Sequence, residues 1–339
     1  CIIDSPKLYQ RQQDIAGKLD YPDPACCRIL RCRILKKEEK RGMTKGLTCP
    51  LCSSAGPSRY LTCTDYLVSM ESFDLYKCPQ CGFVFTHNPP AEEDSGRYYD
   101  SPEYISHDDK AGGFVNMIYL QARKIMLARK KQLVEKNTGI SGGSILDIGC
   151  GTGWFAGTMK KAGWKVTGIE PNGKAGDFAS AHAGIDVLHP SAISELTGEN
   201  FDCITMWHVL EHFNNPVNYI FEIKRLLKPG GLCIAALPNC SSYDAMHYGK
   251  DWAAWDVPRH LWHFTPATFR IFAEKAGFII RNTVPLPLDV FYISALSEKN
   301  RRSLMPFVKG MIKALVFSLK SLCDKEKNSS LIYFLETKD

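Results

Sequence analysis

The sequence predicts an α/β fold built on a doubly wound, mostly parallel sheet of seven strands. Two observations carry this prediction. From about residue 140 onward, short apolar runs of strand length alternate with amphipathic stretches of helix length. A glycine-rich turn joins the first of these strands to the helix that follows it. Such alternation is typical of a parallel sheet with helices on both faces.

Each element follows from its local pattern. Strands are predicted at 144–148, 165–170, 185–188, 201–207, 232–237, 278–283 and 330–334. Helices are predicted at 154–162, 173–183, 216–227, 266–277 and 306–322. Pro216 suits a first helical turn, and Thr265 is placed to cap the helix that ends at Gly277.

The composition excludes several classes of protein. Of the 339 residues, 45% are hydrophobic and 23% are charged, which excludes a disordered or low-complexity chain. No run approaches the roughly 18 uncharged apolar residues of a membrane-spanning helix. The net charge is +6, but residues 1–42 carry +4 of it. The nearly neutral remainder argues against a nucleic-acid partner, and the lack of a secretory signal predicts a cytoplasmic protein.

Residues 1–42 do not read as a folded element. They begin with Cys1, contain a crowded run at 21–27, and keep neither a strand period nor a helix period. One hypothesis is that Met43 is the natural initiator and that the preceding residues are an over-extended gene start. The competing hypothesis is a disordered basic arm.

Two Cys-x-x-Cys pairs indicate a metal site. They are Cys49 with Cys52 and Cys78 with Cys81, and each can form a turn that directs two thiolates at one ion. Gly82 after the second pair permits a tight turn into a short strand at 83–85. The pattern predicts a structural zinc ribbon, since four protein ligands leave no position for water. A redox Cys-x-x-Cys pair is the alternative.

The glycine-rich turn is the predicted ligand-binding centre. Gly149, Gly151 and Gly153 lie between a strand and a helix, where backbone can approach a ligand and the helix start offers free N–H groups. Glu170 ends the next strand, at a position suited to accept hydrogen bonds from both hydroxyls of a ribose. The pattern predicts a ligand that carries a nucleoside.

These motifs carry a family resemblance. Residues 145–153 resemble the first motif of class I S-adenosylmethionine-dependent methyltransferases, and residues 168–171 resemble their second-strand acidic motif. Residues 201–212 resemble the fourth strand of the quinone-methyltransferase-like branch, and residues 227–231 resemble the turn before strand five. The resemblance spans about residues 110–339 and implies a Rossmann-like methyltransferase fold that binds S-adenosylmethionine.

The resemblance also implies which residues contact the cofactor. They are Asp147, Gly149, Gly151, Gly153, Glu170, Trp207 and His208. Asp147 is expected to order the glycine loop or to approach the methionine amino group, and Glu170 to hold the ribose. The family's acidic contact to adenine is missing after strand three, so adenine recognition falls to backbone groups or to Ser191.

Methyl transfer to a hydroxyl requires a base near the strand ends. His260 is the first choice, His208 the second, and His263 a further candidate. His260 and His263 lie in an insertion at 240–264 that is rich in Trp, His and Asp. It is predicted to form a lid over the acceptor, and the alternative is a packed loop whose histidines bond backbone groups.

The expected function is methyl transfer to a small hydroxylated acceptor. A sugar or polysaccharide precursor, linked to a lipid or a nucleotide, ranks first because zinc-ribbon methyltransferase chains resemble bacterial sugar-modifying enzymes. A quinone-type phenol ranks second. A ribbon-mediated nucleic-acid-binding methyltransferase ranks third, because residues 44–85 carry three basic and three acidic side chains and no basic stripe.

The predicted organisation has five parts. They are the extension 1–42, the zinc ribbon 43–90, a linker and helical segment 91–139, the cofactor-binding domain 140–285, and a C-terminal helix and strand 286–339. Residues 98–107 are predicted either to fold over a ligand or to form a plain linker.

The C-terminal helix at 306–322 has an apolar face and three lysines. The favoured prediction is that the apolar face packs on the sheet or on a second subunit of a homodimer. The alternative is peripheral contact with an anionic membrane surface.

Overall fold

The computed structural model describes residues 46–99, 114–198 and 200–338. The described residues from 47 onward form one compact unit, whereas the hypotheses about residues 1–42 fall outside the described residues. Of the segment 98–107, only its first two residues are described.

The described residues contain eleven strands in two sheets. They are β1 (Ser58–Thr64), β2 (Ser72–Lys77), β3 (Val84–Thr86), β4 (Ser144–Ile148), β5 (Lys165–Ile169), β6 (Asp186–Leu188), β7 (Phe201–Trp207), β8 (Leu227–Pro238), β9 (Trp262–His263), β10 (Phe278–Pro285) and β11 (Ser330–Thr337). The larger sheet has seven strands in the order β10-β11-β8-β7-β4-β5-β6. The smaller sheet has the order β1-β2-β3-β9.

The seven-stranded sheet confirms the predicted fold class. Strands β6, β5, β4, β7 and β8 pair in parallel, and β11 runs antiparallel between β8 and β10. The strand order reverses between β4 and β7, which creates a crevice at the carboxyl ends of these strands. The Pro-Gly-Gly turn predicted to precede β8 falls within it, at a shift in the register with β7 between Phe201 and Cys203.

Nine α-helices lie in the described residues. They are α1 (Glu92–Ser95), α2 (Phe114–Thr138), α3 (Trp154–Lys161), α4 (Gly173–Ala183), α5 (Pro216–Leu226), α6 (Tyr243–Tyr248), α7 (Pro266–Lys275), α8 (Asp289–Asn300) and α9 (Pro306–Ser321). Pro216 opens α5, and Thr265 and Thr268 form a capping box at the start of α7. None of the described helices has the length and apolar character needed to cross a membrane.

The cysteine-bearing segment shares its core with the large sheet. Strand β3 pairs with β9, which belongs to the insertion at 240–264. Phe83 and Phe264 are fully buried and lie 5.4 Å apart between ring centroids. Lys275 on α7 donates a 2.7 Å hydrogen bond to the carbonyl of Leu51. The ribbon is therefore a segment packed into the body of the protein and not a separately folded domain.

A buried cation connects the ribbon to the insertion. The Arg259 guanidinium, 1% exposed, donates to Asp65 Oδ1 at 2.9 Å, to Asp256 Oδ1 at 2.6 Å and to the carbonyl of Tyr98 at 2.8 Å. Burial alone would raise the pKa of Asp65, but hydrogen bonds from Arg259 and Ser69 hold it below its usual range. The ribbon, the insertion and the segment that carries Tyr98 are therefore all bonded to the side chain of Arg259.

The C-terminal hairpin departs from the favoured prediction. Helix α9 buries a narrow face that consists of Gly310, Ala314, Phe317 and Ser321. A Cβ at Gly310 would lie 2.5 Å from the Cα of Ala295, so α9 packs closely on α8. Most of the larger apolar side chains of α9 are exposed, so the prediction that they pack on the sheet is wrong, whereas packing on a second subunit stays a prediction. The predicted last strand is confirmed by β11.

We expect Arg259→Met to lower the free energy of unfolding by about 3–5 kcal/mol, because it leaves the carboxylate of Asp65 buried without its charge partner. The measurement is urea unfolding followed by tryptophan fluorescence. Arg281→Met is the matched control, since Arg281 pairs with Glu336 at the surface, and its expected cost is below about 1 kcal/mol. Equal effects of the two substitutions would show that the buried pair is not a major stabilising contact.

Candidate active site

A cavity of about 2730 Å³ opens at the carboxyl ends of the central strands. It is lined by the glycine turn after β4, the end of β5, the turn after β7, the insertion at 240–264, helix α8 and parts of the ribbon. Side chains and glycines of this wall that bear on its chemistry are Gly149, Gly151, Glu170, Trp207, His208, His212, Asp256, Arg259, His260 and Asp289. This volume accommodates a nucleoside-bearing donor and a small acceptor together.

The glycine turn has the backbone geometry that the sequence anticipated. Gly149, Gly151 and Gly153 have φ angles of 70°, 53° and 77°, which favour glycine. A Cβ at Gly149 would lie 2.5 Å from Val209, and one at Gly153 would lie 2.8 Å from Ala179. A Cβ at Gly151 would meet no atom within 4 Å. Gly149 and Gly151 line the cavity, whereas Gly153 packs against α4 and is not part of the wall.

Glu170 is held against the glycine turn. Its Oε2 accepts a 2.8 Å hydrogen bond from the N–H of Gly151, and its Oε1 accepts one of 3.0 Å from the N–H of Asn172. A carboxylate can accept about four hydrogen bonds, so these two leave capacity for ligand hydroxyls. Glu170 both lines the cavity and fixes the turn that a ligand would contact.

Asp147 lies at the point where the strand order reverses, and it is not part of the cavity wall. Thr205 on β7 donates a 2.7 Å hydrogen bond to its Oδ1. The carboxyl group is only 2% exposed, and burial raises its pKa to about 7. Of the two roles implied by the resemblance, this placement favours ordering of the turn that follows β4.

Trp207 ends β7 and contributes an indole face to the cavity wall. Phe155 packs on it edge to face, with 5.3 Å between centroids. The Lys130 ammonium lies 4.3 Å from the Trp207 ring centroid, within the range of a cation–π contact. Trp207 is therefore fixed by packing, as a residue that shapes a binding pocket must be.

His208 is held as a cation by two carboxylates. Its backbone has φ 58°, and its Nε2 lies 2.8 Å from Asp289 Oδ2 while its Nδ1 lies 3.4 Å from Glu211 Oε1. Burial alone would lower the pKa of His208, but Asp289 and Glu211 raise it to about 10. A protonated imidazole cannot accept a proton at neutral pH, so His208 is a poor candidate base.

His260 has a different set of partners. Its Nδ1 lies 2.9 Å from the carbonyl of Ala254, and since a carbonyl only accepts, Nδ1 carries a proton. Its Nε2 lies 3.8 Å from Asp256 Oδ2 and 4.0 Å from Glu211 Oε1. Those carboxylates would stabilise the ring after it accepts a proton.

His212 and Glu211 complete this cluster. The rings of His212 and His260 meet edge to face at 4.6 Å, and the Tyr99 hydroxyl lies 3.2 Å from Nδ1 of His212. Burial, followed by the nearby His260, lowers the pKa of His212 to about 4. Glu211 is 1% exposed, and neither carboxylate oxygen has a hydrogen-bond partner. Ligand-capable atoms of Glu211, His212 and His260 lie within 4.8 Å of one another, close enough for a cation to bridge.

Two residues that the sequence analysis considered, His263 as a base and Ser191 as a contact to adenine, do not line the cavity. His263 is 4% exposed, its Nε2 lies 3.1 Å from the Thr86 hydroxyl, and its ring packs on Trp255. We therefore assign His263 a packing role and drop it as a candidate base. The Ser191 hydroxyl lies 2.9 Å from Nδ1 of His189 and does not line the cavity, which leaves backbone groups for adenine.

The four cysteines of the ribbon converge. Sγ of Cys49 lies 3.7 Å from that of Cys81, and Sγ of Cys52 lies 3.6 Å from that of Cys78. Tetrahedral zinc with bonds of about 2.3 Å places its sulfurs about 3.8 Å apart. The N–H groups of Cys52 and Cys81 each point at the first sulfur of their pair at 3.5 Å, as thiolate-stabilising turns do. The donor set and its spacing fit a zinc ion.

Sequence reasoning missed two carboxylates that decide the charge of the site. Asp256 belongs to the predicted lid, and Asp289 begins α8, more than 80 residues after His208. No local pattern marks either one, because their partners come from distant parts of the chain. Glu211 and His212 did carry a signal, since they follow directly after a strand at the sheet's carboxyl edge.

Comparisons with known proteins agree with this geometry. Residues 119–282 match the sequence model of a family described as a methyltransferase domain. The match covers 164 of the 339 residues. This stretch is similar to a methyltransferase domain, as the resemblance had implied.

Curated relatives of this methyltransferase domain are ubiquinone biosynthesis O-methyltransferases. The one from Aeromonas salmonicida is 29% identical over 163 residues, which cover 44% of this chain and 68% of that protein. The one from Maricaulis maris is 32% identical over 153 residues, covering 41% and 60%. The one from Cereibacter sphaeroides is 31% identical over 145 residues, covering 39% and 59%. The chain thus spans about three fifths to two thirds of these relatives.

We expect Glu170→Ala to weaken binding of S-adenosylhomocysteine by about tenfold to a few hundredfold. Charge-assisted hydrogen bonds contribute about 1.5–3 kcal/mol each, and the substitution also frees the N–H of Gly151. Isothermal titration calorimetry measures the affinity. Asp177→Ala, at an exposed position on the neighbouring helix, is the control and should bind normally. Unchanged affinity of the Glu170 variant would remove this residue from the site.

Proposed function

We propose that the protein transfers a methyl group from S-adenosylmethionine to a hydroxyl of a small acceptor bound in the cavity. The single observation that carries this proposal is the position of His260, whose Nδ1 bonds the carbonyl of Ala254 and whose ring lines the same cavity as the glycine turn and Glu170. Such a base is needed when the acceptor is an alcohol or a phenol, because the attacking oxygen loses its proton.

The acceptor proposed first is a phenol of the kind found in quinone precursors. The curated relatives are named for O-methylation in ubiquinone biosynthesis, and they support this acceptor over the sugar that the sequence analysis ranked first. Aromatic side chains of the cavity wall, among them Tyr99 and Trp255, suit a flat ring.

A sugar hydroxyl remains the second candidate, on one observation. The Tyr66 hydroxyl donates a 3.0 Å hydrogen bond to Asp251 Oδ1. Tyr66 lines the cavity, and Asp251 lies in the insertion next to the lining residue Trp252. Polar groups of this kind are what a polyhydroxylated ring requires.

The proposed reaction is an in-line displacement. The donor supplies a methyl carbon bound to a sulfonium, and Gly149, Gly151, Glu170 and Trp207 would hold it. The acceptor oxygen forms a bond to that carbon as the carbon–sulfur bond breaks, and the electron pair stays on sulfur. The acceptor proton passes to Nε2 of His260. The main contribution of the protein is to align the reactants and to accept this proton.

Asp256 and Glu211 stabilise the imidazolium that forms on His260. An oxygen of each carboxylate lies near Nε2, at 3.8 Å for Asp256 and 4.0 Å for Glu211. His208 is not the base in this proposal. Its charge balances Glu211 and Asp289 and so fixes the turn after β7 that carries the cluster.

An assay with labelled S-adenosylmethionine tests the proposal. We expect methylation of catechol-type phenols, and we expect His260→Asn to lower kcat by about 10²–10⁴-fold, because general-base catalysis contributes that much. Affinity for S-adenosylhomocysteine should stay within about threefold, since His260 would contact the acceptor and not the donor.

The control variant is His87→Asn, whose ring stacks on Tyr76 outside the cavity, and it should keep full activity. Methylation of sugars but not of phenols would favour the second candidate. Full activity of His260→Asn on any acceptor would contradict the assignment of the base.

We further propose that Cys49, Cys52, Cys78 and Cys81 hold a structural zinc ion. The spacing of their sulfurs supports this, and so does the burial of Cys49 and Cys78 at 1% exposure each. A site with four protein ligands has no position for substrate, so the ion would act on stability and not on chemistry.

We expect metal analysis of protein purified without chelator to give one zinc ion per chain. Cys52→Ser should lose the metal and lower the melting temperature of the whole chain, because the ribbon shares its core with the large sheet. Cys323→Ser, at an exposed position, is the control and should retain zinc. A wild-type preparation that contains no zinc would contradict the proposal.

A further inference from the structure

Helix α9 and the turn before it expose an unusual number of large apolar side chains. The exposed residues, here called the apolar stripe, are Leu304, Met305, Phe307, Val308, Ile312, Leu315, Val316, Leu319 and Leu322. Their exposed fractions range from 43% to 82%. Single exposed apolar residues are ordinary in proteins, whereas a contiguous patch marks an interaction surface.

The fold does not need this stripe for its own packing. The opposite face of α9 already packs on α8 through Gly310 and Ala314, and Phe317 is buried on the same side. Three of the four residues of that buried face are small, and apart from Phe317 most of the large apolar side chains of the helix are directed outward. Ordinary core packing therefore does not account for them.

Positive charge borders the stripe. At 100° per residue, Lys309, Lys313 and Lys320 lie along one flank, between the stripe and the buried face. Lys313 also bonds Glu298 Oε1 at 2.6 Å, whereas Lys309 and Lys320 are exposed. With Arg301 and Arg302, residues 301–323 carry five basic side chains and no acidic one.

We propose that the apolar stripe of α9 docks on the surface of an anionic lipid bilayer, with the helix lying in the plane of the interface. An apolar face bordered by lysines is the pattern that binds such surfaces, since the side chains enter the acyl boundary and the cations meet lipid phosphates. A second copy of this chain fits less well. It would bring the basic flanks of two stripes together, and residues 301–323 contain no carboxylate to pair with them.

The position of α9 gives this contact a consequence for the cavity. Helix α8, the other half of the hairpin, lines the cavity through Leu296 and Asn300, and Arg302 in the connecting turn lines it as well. Docking of α9 therefore brings the rim formed by the hairpin close to the bilayer. The inference concerns a surface outside the methyl-transfer site, and it does not depend on the identity of the acceptor.

Co-sedimentation of the full chain with vesicles tests the proposal. We expect binding to phosphatidylcholine vesicles that contain 30–40% phosphatidylglycerol, about tenfold or more above that to pure phosphatidylcholine at low salt. Binding should weaken at moderate salt, because ions screen the electrostatic part. Absence of binding to the anionic vesicles at low salt would overturn the proposal.

A double substitution in the stripe makes the test specific. Ile312→Glu with Leu315→Glu alters side chains that are 60% and 54% exposed and should lower vesicle binding at least tenfold. The control is Phe221→Glu with Ile279→Glu, at positions 51% and 50% exposed outside the stripe, which should bind like the wild type. Equal loss in both double variants would indicate charge alone and overturn the assignment to α9.

Sedimentation velocity distinguishes the competing occupant. A wild-type dimer that the stripe variant dissociates, together with no vesicle binding, would assign the stripe to a second copy and overturn the lipid proposal. Affinity for S-adenosylhomocysteine should be the same in the wild type and in both double variants, which shows that the variants are folded. Failure of the lipid test with normal cofactor binding would leave the proposed methyl transfer standing.

Discussion

The buried guanidinium of Arg259 is the contact on which the architecture of the site depends. It joins Asp65 of the ribbon to Asp256 of the insertion. The side chains of Arg259 and Asp65 are fully buried, and that of Asp256 is partly buried. A charge buried in this way is stable only while its partners stay in place, so the ribbon and the insertion must hold one mutual position. The next residue along the chain is His260, whose carbonyl accepts a 2.7 Å hydrogen bond from Thr86 of the ribbon. The segment that carries the four converging cysteines thus helps to position the candidate base, although those four cysteines do not line the cavity.

At the cavity wall, one carboxylate lies near two histidines that have different partners. Glu211 lies near Nδ1 of His208 on one side and near Nε2 of His260 on the other. Asp289 holds the first ring as a cation, while Nδ1 of the second ring donates to the carbonyl of Ala254. The division of roles follows from partners and not from the histidines themselves.

Much of the fold was predictable because it depends on local pattern. The strands at 144–148 and 201–207 were placed to the residue, since a short apolar run between polar turns can form little else. The glycine turn was predictable for the same reason. Contacts between distant segments were not. The pairing of β3 with β9 joins residues about 180 positions apart, and the partnership of His208 with Asp289 spans 81. The ribbon's incorporation into the main core and the charge of His208 both depend on such contacts.

The C-terminal helix α9 shows a limit of predicting burial from the spacing of apolar residues. Spacing of three and four identifies an apolar face, and most such faces cover a core, which is why packing on the sheet or on a second subunit was the favoured prediction. The spacing does not show which face of α9 the neighbouring helix α8 packs against. Gly310 decides this, because the absence of a side chain allows Ala295 to approach within a distance that any Cβ would prevent. Close approach of α8 to the small face of α9 turns the larger apolar residues outward. A single glycine thus converts a helix with the composition of a core element into one that presents an apolar surface.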